Sequence, residues 1–207
     1  MPESMQPLLN TYMASGGALV DRNKLLAAPF WKSGGDFGMA STAILGAIEN
    51  ARLLKSKGYP VLLFAYDGAT DENTVPISDA ENGRFLRDFL MGITIAKRTL
   101  QYRDSHFIIL TGNLHAIKTP TELKMASVIE KFTPVFSAKF IPVTGGESWG
   151  CQGKSFETRI CGIHKMGADN SVNASGYDTV IRLPEVHASA PALNMVKELD
   201  AKSIEVK

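Results

Sequence analysis

Apolar residues Met5, Leu8, Leu9, Tyr12 and Met13 recur three and four positions apart, which is one face of a helix, and Ser15-Gly16-Gly17 ends the run. The following stretch reads as a loop rich in Pro and Gly, with an aromatic pair at Phe30-Trp31. From Ser41 a second helix is predicted through Ile44, Ile48, Ala51 and Leu54. Lys55 and Lys57 fall in its last turn and Gly58 follows, as C-terminal chemistry prefers. Residues 61–66 form an unbroken apolar run ending at Asp67, which predicts a strand buried on both faces. The polar stretch 68–78 is then a loop. A long helix is predicted over 80–102, with Leu86, Phe89, Leu90, Ile93 and Leu100 facing inward. Residues 106–110 read as the next strand, closing on Thr111-Gly112-Asn113. Thr119, Pro120 and Glu122 supply the cap, first-turn proline and capping-box acid of a helix through Leu123, Met125, Val128, Ile129 and Phe132. Residues 135–143 are strand again, then a β-hairpin region, then a last strand over 177–183.

Strands alternating with helices predict an α/β fold: a largely parallel central sheet flanked by helices, with right-handed crossovers. Gly and Cys punctuation without a long helix predicts antiparallel edge strands or a hairpin near the C-terminus. The expectation is one domain over 1–207, with an alternating part at 1–143, a hairpin and edge-strand part at 144–191 and a tail at 192–207. The pattern opens on a helix with no strand before it, which predicts an N-terminally incomplete domain. A second copy covering the sheet edge, a homo-oligomer, is a further expectation.

Composition narrows the function classes. Lysine and arginine number 22 against 21 acids, a net charge of +1, so no electrostatic footprint for nucleic acid or an anionic membrane exists. With 44% apolar and 21% charged residues the chain is of ordinary folded composition. No apolar run approaches the ~20 residues of a membrane span, and the chain itself opens without a signal-peptide pattern. A leader upstream would place the protein in the periplasm or outside the cell.

Ligands of open α/β sheets sit at the carboxyl ends of the strands. Asp67 and the turn Gly112-Asn113-Leu114-His115 fall there. His115 can act as a general base or a metal ligand, or the turn can be a plain one using Gly and Asn. Arg84, Arg87, Asp88 and Met91 share one side of the long helix; the arginines can clamp an anion or form a solvated face. Cys151 and Cys161 flank the hairpin. With His164 they offer only three zinc ligands and no C-x-x-C pair, which leaves a cross-hairpin disulfide or two unpaired core thiols. Asp169, Ser171, Asn173 and Ser175 imitate half a calcium loop, but Ala174 and Val180 stand where glycine and glutamate belong. Asp67, Asp71 and Glu72 are a second candidate for a hard cation. Gly34-Gly35 and Gly145-Gly146 lack the strand–turn–helix setting of a phosphate loop.

The segment Arg87-Asp88-Phe89-Leu90-Met91, followed by the strand from Ile108 to Leu110 and Thr111-Gly112-Asn113-Leu114-His115, resembles the erythromycin esterase/ChaN/Tiki superfamily. Its members show an R-D-x-x-M helix, an apolar strand and a G-N-x-H turn, and the order of elements over 1–116 is similar too. The resemblance implies a hydrolase of ester or peptide bonds acting on a small molecule or peptide. His115, Arg87 and Asp88 would be catalytic; Asn113, Asp67 and Arg84 would line the ligand site. A Tiki-like site implies His115 as ligand of a divalent metal. A ChaN-like one implies a non-catalytic pocket for haem or another ligand. The superfamily's second motif, G-E-x-H, has no counterpart here, since none of His106, His115, His164 and His187 follows Gly-Glu. Weak or absent hydrolysis by this chain is the corresponding expectation.

Overall fold

The computed structural model describes residues 1–32, 39–68, 80–119, 122–152, 160–169 and 175–192. Its helices are α1 (Gln6–Ala14), α2 (Leu19–Ala27), α3 (Pro29–Lys32), α4 (Thr42–Ser56), α5 (Ala80–Gln101) and α6 (Met125–Glu130). The strands are β1 (Ala138–Pro142), β2 (Gly146–Gln152), β3 (Ile160–Met166) and β4 (Thr179–Leu183). β1 and β4 pair in parallel, with Phe140 opposite Ile181, while β2 and β3 form an antiparallel hairpin. Mixed α/β character and the late hairpin agree with the sequence reading. The large parallel central sheet does not: each sheet among the described residues has two strands.

The reason lies in two segments expected as strands. Among the described residues, 61–66 and 106–110 join no ladder, and Asp67, directly after the first, forms a single bridge with Pro2. The first segment instead takes a substitute for a neighbouring strand. The Gln6 side-chain amide donates from Nε2 to the Leu63 carbonyl at 2.9 Å and accepts from the Ala65 N–H at 2.8 Å. One planar amide thus satisfies two backbone groups that an adjacent strand's peptide would otherwise meet.

Segment 61–66 nevertheless separates two helical layers. Its alternate residues Leu63 and Ala65 pack into a core of Leu9, Tyr12, Leu25, Trp31, Leu45 and Ile48 from α1 to α4. Tyr66 points the other way, onto Met91 and Ile95 of α5 and Met125 and Ile129 of α6, beside Ile109 and Val135. That opposition is the period of two of an extended chain. Ile109 is inward, whereas Ile108 is 90% exposed, so segment 106–110 is covered on one face only. The burial on both faces expected of 61–66 is partly realised: Leu63 and Ala65 pack to one side and Tyr66 to the other, while Leu62 is 52% exposed.

Local signals set most helix ends. Ser41 caps α4, accepting from the Ile44 N–H at 3.4 Å, and Gly58 leaves it at φ 90°. Two helices, α2 and α3, replace the loop expected before Ser41. α6 starts at Met125, later than Thr119 suggested, and its N-cap Lys124 does not cap it through the side chain. On α5 the buried stripe is Asp88, Met91, Ile95 and Ala96; Leu86, Phe89 and Leu100, expected inward, are exposed. Residues 186–192 return to the first helical layer. Ala192 is fully buried there, and Ser189 Oγ accepts from the Ala43 N–H at 2.9 Å at the start of α4.

Candidate functional site

Consecutive residues of α5, Arg87 and Asp88, each reach a different strand-like segment. Arg87 donates through Nε to Asp67 Oδ1 at 3.2 Å and through Nη2 to Asp67 Oδ2 at 2.5 Å. Asp67 ends segment 61–66 and is itself buried, while the Arg87 side chain is 43% exposed. Asp88, buried on the helix's inner stripe, lies 2.5 Å from Nδ1 of His115. His115 closes a single 3-10 turn, Asn113–His115, directly after segment 106–110. Both carboxyl ends therefore converge on one turn of one helix.

The electrostatics follow from this pairing. The Asp67 carboxylate, hydrogen-bonded to Arg87, raises that guanidinium above its ordinary value, against a smaller opposing effect of burial. Burial likewise raises the Tyr66 phenol, whose O–H donates to the Leu110 carbonyl at 2.6 Å. An ionised Asp88 can only accept, so the short contact assigns a proton to His115 Nδ1, and in the neutral ring the lone pair is then on Nε2. The imidazole is 31% exposed.

The turn carrying His115 is braced from below. Tyr177 donates to the Asn113 carbonyl at 2.7 Å, Ser137 donates to the Ala116 carbonyl at 2.5 Å, and the Lys118 N–H donates to the Gly176 carbonyl at 2.6 Å. Lys118 Nζ also bonds Asp178 and Glu130, which tie the loop before β4 to the end of α6. Tyr66, Tyr177, Ser137 and Lys118 were not singled out by sequence. Each is an isolated polar residue with no periodic or motif signal.

Other expected site residues stand apart. The Arg84 side chain lies outside the described residues, as do Asp71, Glu72 and 170–174 of the calcium-like loop. Asp169, its first acid, accepts from Lys139 Nζ at 3.1 Å, and Asp67 is committed to Arg87. Asn113 contributes its carbonyl to Tyr177. Among the described residues no three His, Cys, Asp or Glu side chains converge as a metal-binding group. Among those residues one ring nitrogen of His115 faces Asp88, and the Asp67 carboxylate faces an arginine. Two cavities among the described residues, of about 340 and 300 Å³, are lined around Lys118 and Ser127 and around Gln6 and Tyr102, not by His115.

The Cys151 and Cys161 side chains lie outside the described residues, but the backbone register sets the two residues directly opposite each other. His164 Nε2 lies 3.1 Å from the Gly150 carbonyl. His106 and His187 are exposed. No described helix is long and apolar enough to cross a membrane. No family model, curated protein or solved structure matches the chain.

Proposed function

We propose that the convergence of Asp67, Arg87, Asp88 and His115 is a hydrolytic site for a carboxylic ester or lactone, of the kind found in the erythromycin esterase/ChaN/Tiki superfamily. The observation that carries the reading is the short Asp88–His115 contact at an imidazole that is itself part-exposed. In this reading Nε2 takes a proton from a water that attacks the ester carbonyl. Asp88 holds the ring in the required tautomer and stabilises the imidazolium that forms. The tetrahedral intermediate then expels its alkoxide, which receives the proton from Nε2. Arg87 engages Asp67 through Nε and Nη2, so Nη1 remains for the oxyanion. Asp67 acts as a positioning residue that sets the guanidinium plane. Hydrolysis is weak, because a lone arginine donor supplies one of the several contacts an oxyanion site normally offers.

The test is turnover of short-chain aryl esters and of lactones by the purified chain, with His115→Ala and Arg87→Ala compared by circular dichroism for retained fold. Slow turnover abolished in His115→Ala supports the proposal. Turnover unchanged in that variant, or none with any substrate, overturns it. Absence of turnover together with saturable binding of a carboxylate would instead favour a non-catalytic binding domain.

A further inference from the structure

The hairpin of β2 and β3 carries a second constellation, independent of the histidine site. Antiparallel partners alternate between pairs that exchange backbone hydrogen bonds and pairs that do not, and the second kind stand closer. The alternation can be phased here. The Val186 N–H donates to the Gly145 carbonyl, and the Glu147 N–H donates to the Val186 carbonyl, which is a parallel bridge centred on Gly146. The polar backbone groups of Glu147 therefore point to Val186, away from β3. The same holds two and four residues on, at Trp149 and Cys151. Glu147↔Lys165, Trp149↔Ile163 and Cys151↔Cys161 are accordingly the non-hydrogen-bonded pairs of the register.

All three pairs share one face of the hairpin, and each is chemically matched: acid with base, aromatic with β-branched, thiol with thiol. Glu147, Lys165 and Ile163 are exposed, so this face is open to solutes. His164 belongs to a hydrogen-bonded pair with Ser148 and to the opposite face. A zinc site made from the two cysteines and His164 is thereby ruled out by register. A Cα separation of about 4.5 Å at such pairs sits at the short end of the 4.4–6.8 Å that a disulfide spans. A bridge there is formable, and on a strand pair whose described neighbours are exposed it would be of the accessible kind that thiol–disulfide exchange can reach.

We propose that Cys151 and Cys161 are a redox-responsive pair that closes into a cross-strand disulfide by exchange with a low-molecular-weight disulfide such as oxidised glutathione. One cysteine thiolate attacks a sulfur of the small disulfide, forms a mixed disulfide and releases the first small thiol. The second cysteine thiolate then attacks the protein-bound sulfur and releases the second. Two protein thiols are oxidised, one small disulfide is reduced to two thiols, and the protons lost by the cysteines are carried away on them.

The full chain is equilibrated in buffers of varied reduced-to-oxidised glutathione ratio, quenched with acid, then denatured and alkylated. Intact mass and a non-reducing digest follow. The expected result is two alkylated cysteines under reducing ratios. Under oxidising ratios no alkylation should occur, and one cross-link should join the peptides containing Cys151 and Cys161. Cys151→Ser should instead accumulate a single glutathione adduct on Cys161. Two alkylatable thiols at every ratio, stable glutathione adducts on both cysteines of the unaltered chain, or links between chains would each overturn the pairing. The unaltered chain alone decides the matter if the variant fails to fold.

Discussion

Gly92 sits where α5 meets α6, and replacing it with alanine sets two measurable effects against each other. A methyl group relieves the helix of glycine's backbone entropy, a gain of about 0.8–1.0 kcal/mol in a helix interior. The packing term opposes it. A Cβ at this position would lie 2.6 Å from Val128 Cβ, 2.7 Å from Val128 Cγ1 and 3.1 Å from the Met125 carbonyl oxygen. Carbon atoms in good contact stand about 3.5–4.0 Å apart, so the overlap is close to an ångström. Val128 Cβ and the Met125 carbonyl oxygen are fixed by the α6 backbone, and only Cγ1 could be withdrawn by a rotamer change. Overpacking of this kind costs about 1–3 kcal/mol, and contact with backbone puts Gly92→Ala in the upper half of that range. Net destabilisation of about 1–2 kcal/mol is expected by urea denaturation. Adding Val128→Ala removes Cγ1 and should recover at least about 0.5 kcal/mol of coupling. A Gly92→Ala protein more stable than the parent would refute the reasoning, because helix propensity would then outweigh the interface. Asp88 stands one turn earlier on the same buried stripe, so the displaced helix should also loosen its contact with His115.

Asp88→Asn keeps the volume but removes the charge that orients and stabilises the imidazole, so any hydrolysis should fall about 10²- to 10⁴-fold; an unchanged rate would exclude Asp88 from the mechanism. Glu49, hydrogen-bonded by Arg52 and Tyr12, is held at about 2 against an ordinary 4.5, with the Arg52 bond the larger cause. A depressed folded value stabilises above the unfolded pKa and is lost as pH falls through the folded one. Denaturation midpoints should therefore decline between pH 4.5 and 2 through this group, and Glu49→Gln should flatten that part of the profile. Gly146 holds φ 139°, and a Cβ there would overlap the Val186 carbonyl oxygen. Gly146→Ala should cost about 1–3 kcal/mol through backbone strain, and thermal melting that matches the parent would contradict it.

The positions of α1, α4 and α5 were legible in the sequence because their causes are local, whereas α2 and α3 were read as loop. The spacing of Leu9, Tyr12 and Met13, the cap at Ser41 and the left-handed Gly58 act within a few residues of themselves. Which face of a helix is buried is not local. Leu86, Phe89 and Leu100 of α5 are apolar yet exposed, because Tyr66, Ile109, Met125 and Ile129 arrive at the neighbouring stripe. The runs at 61–66 and 106–110 were recognised as apolar, but a ladder needs a partner edge, and nothing within the run supplies one. Gln6, some 57 residues from Leu63, meets the first run with a side chain instead.

The candidate site divides in the same way. Asp67 and His115 could be named from their strand-end positions, and Arg87 and Asp88 from the resemblance of the R-D-x-x-M helix. Their partition into Asp67 with Arg87 and Asp88 with His115 could not, since the members of each pair lie 20 and 27 residues apart. It follows from how α5 is rotated over the extended segments, and that rotation is decided by packing against α6. The spacing of Cys151 and Cys161 is likewise plain in the sequence, yet whether they face each other at the close or the wide kind of pair depends on Val186. That residue docks from 35 positions beyond Cys151 and sets the phase of the hairpin through its bridge to Gly146.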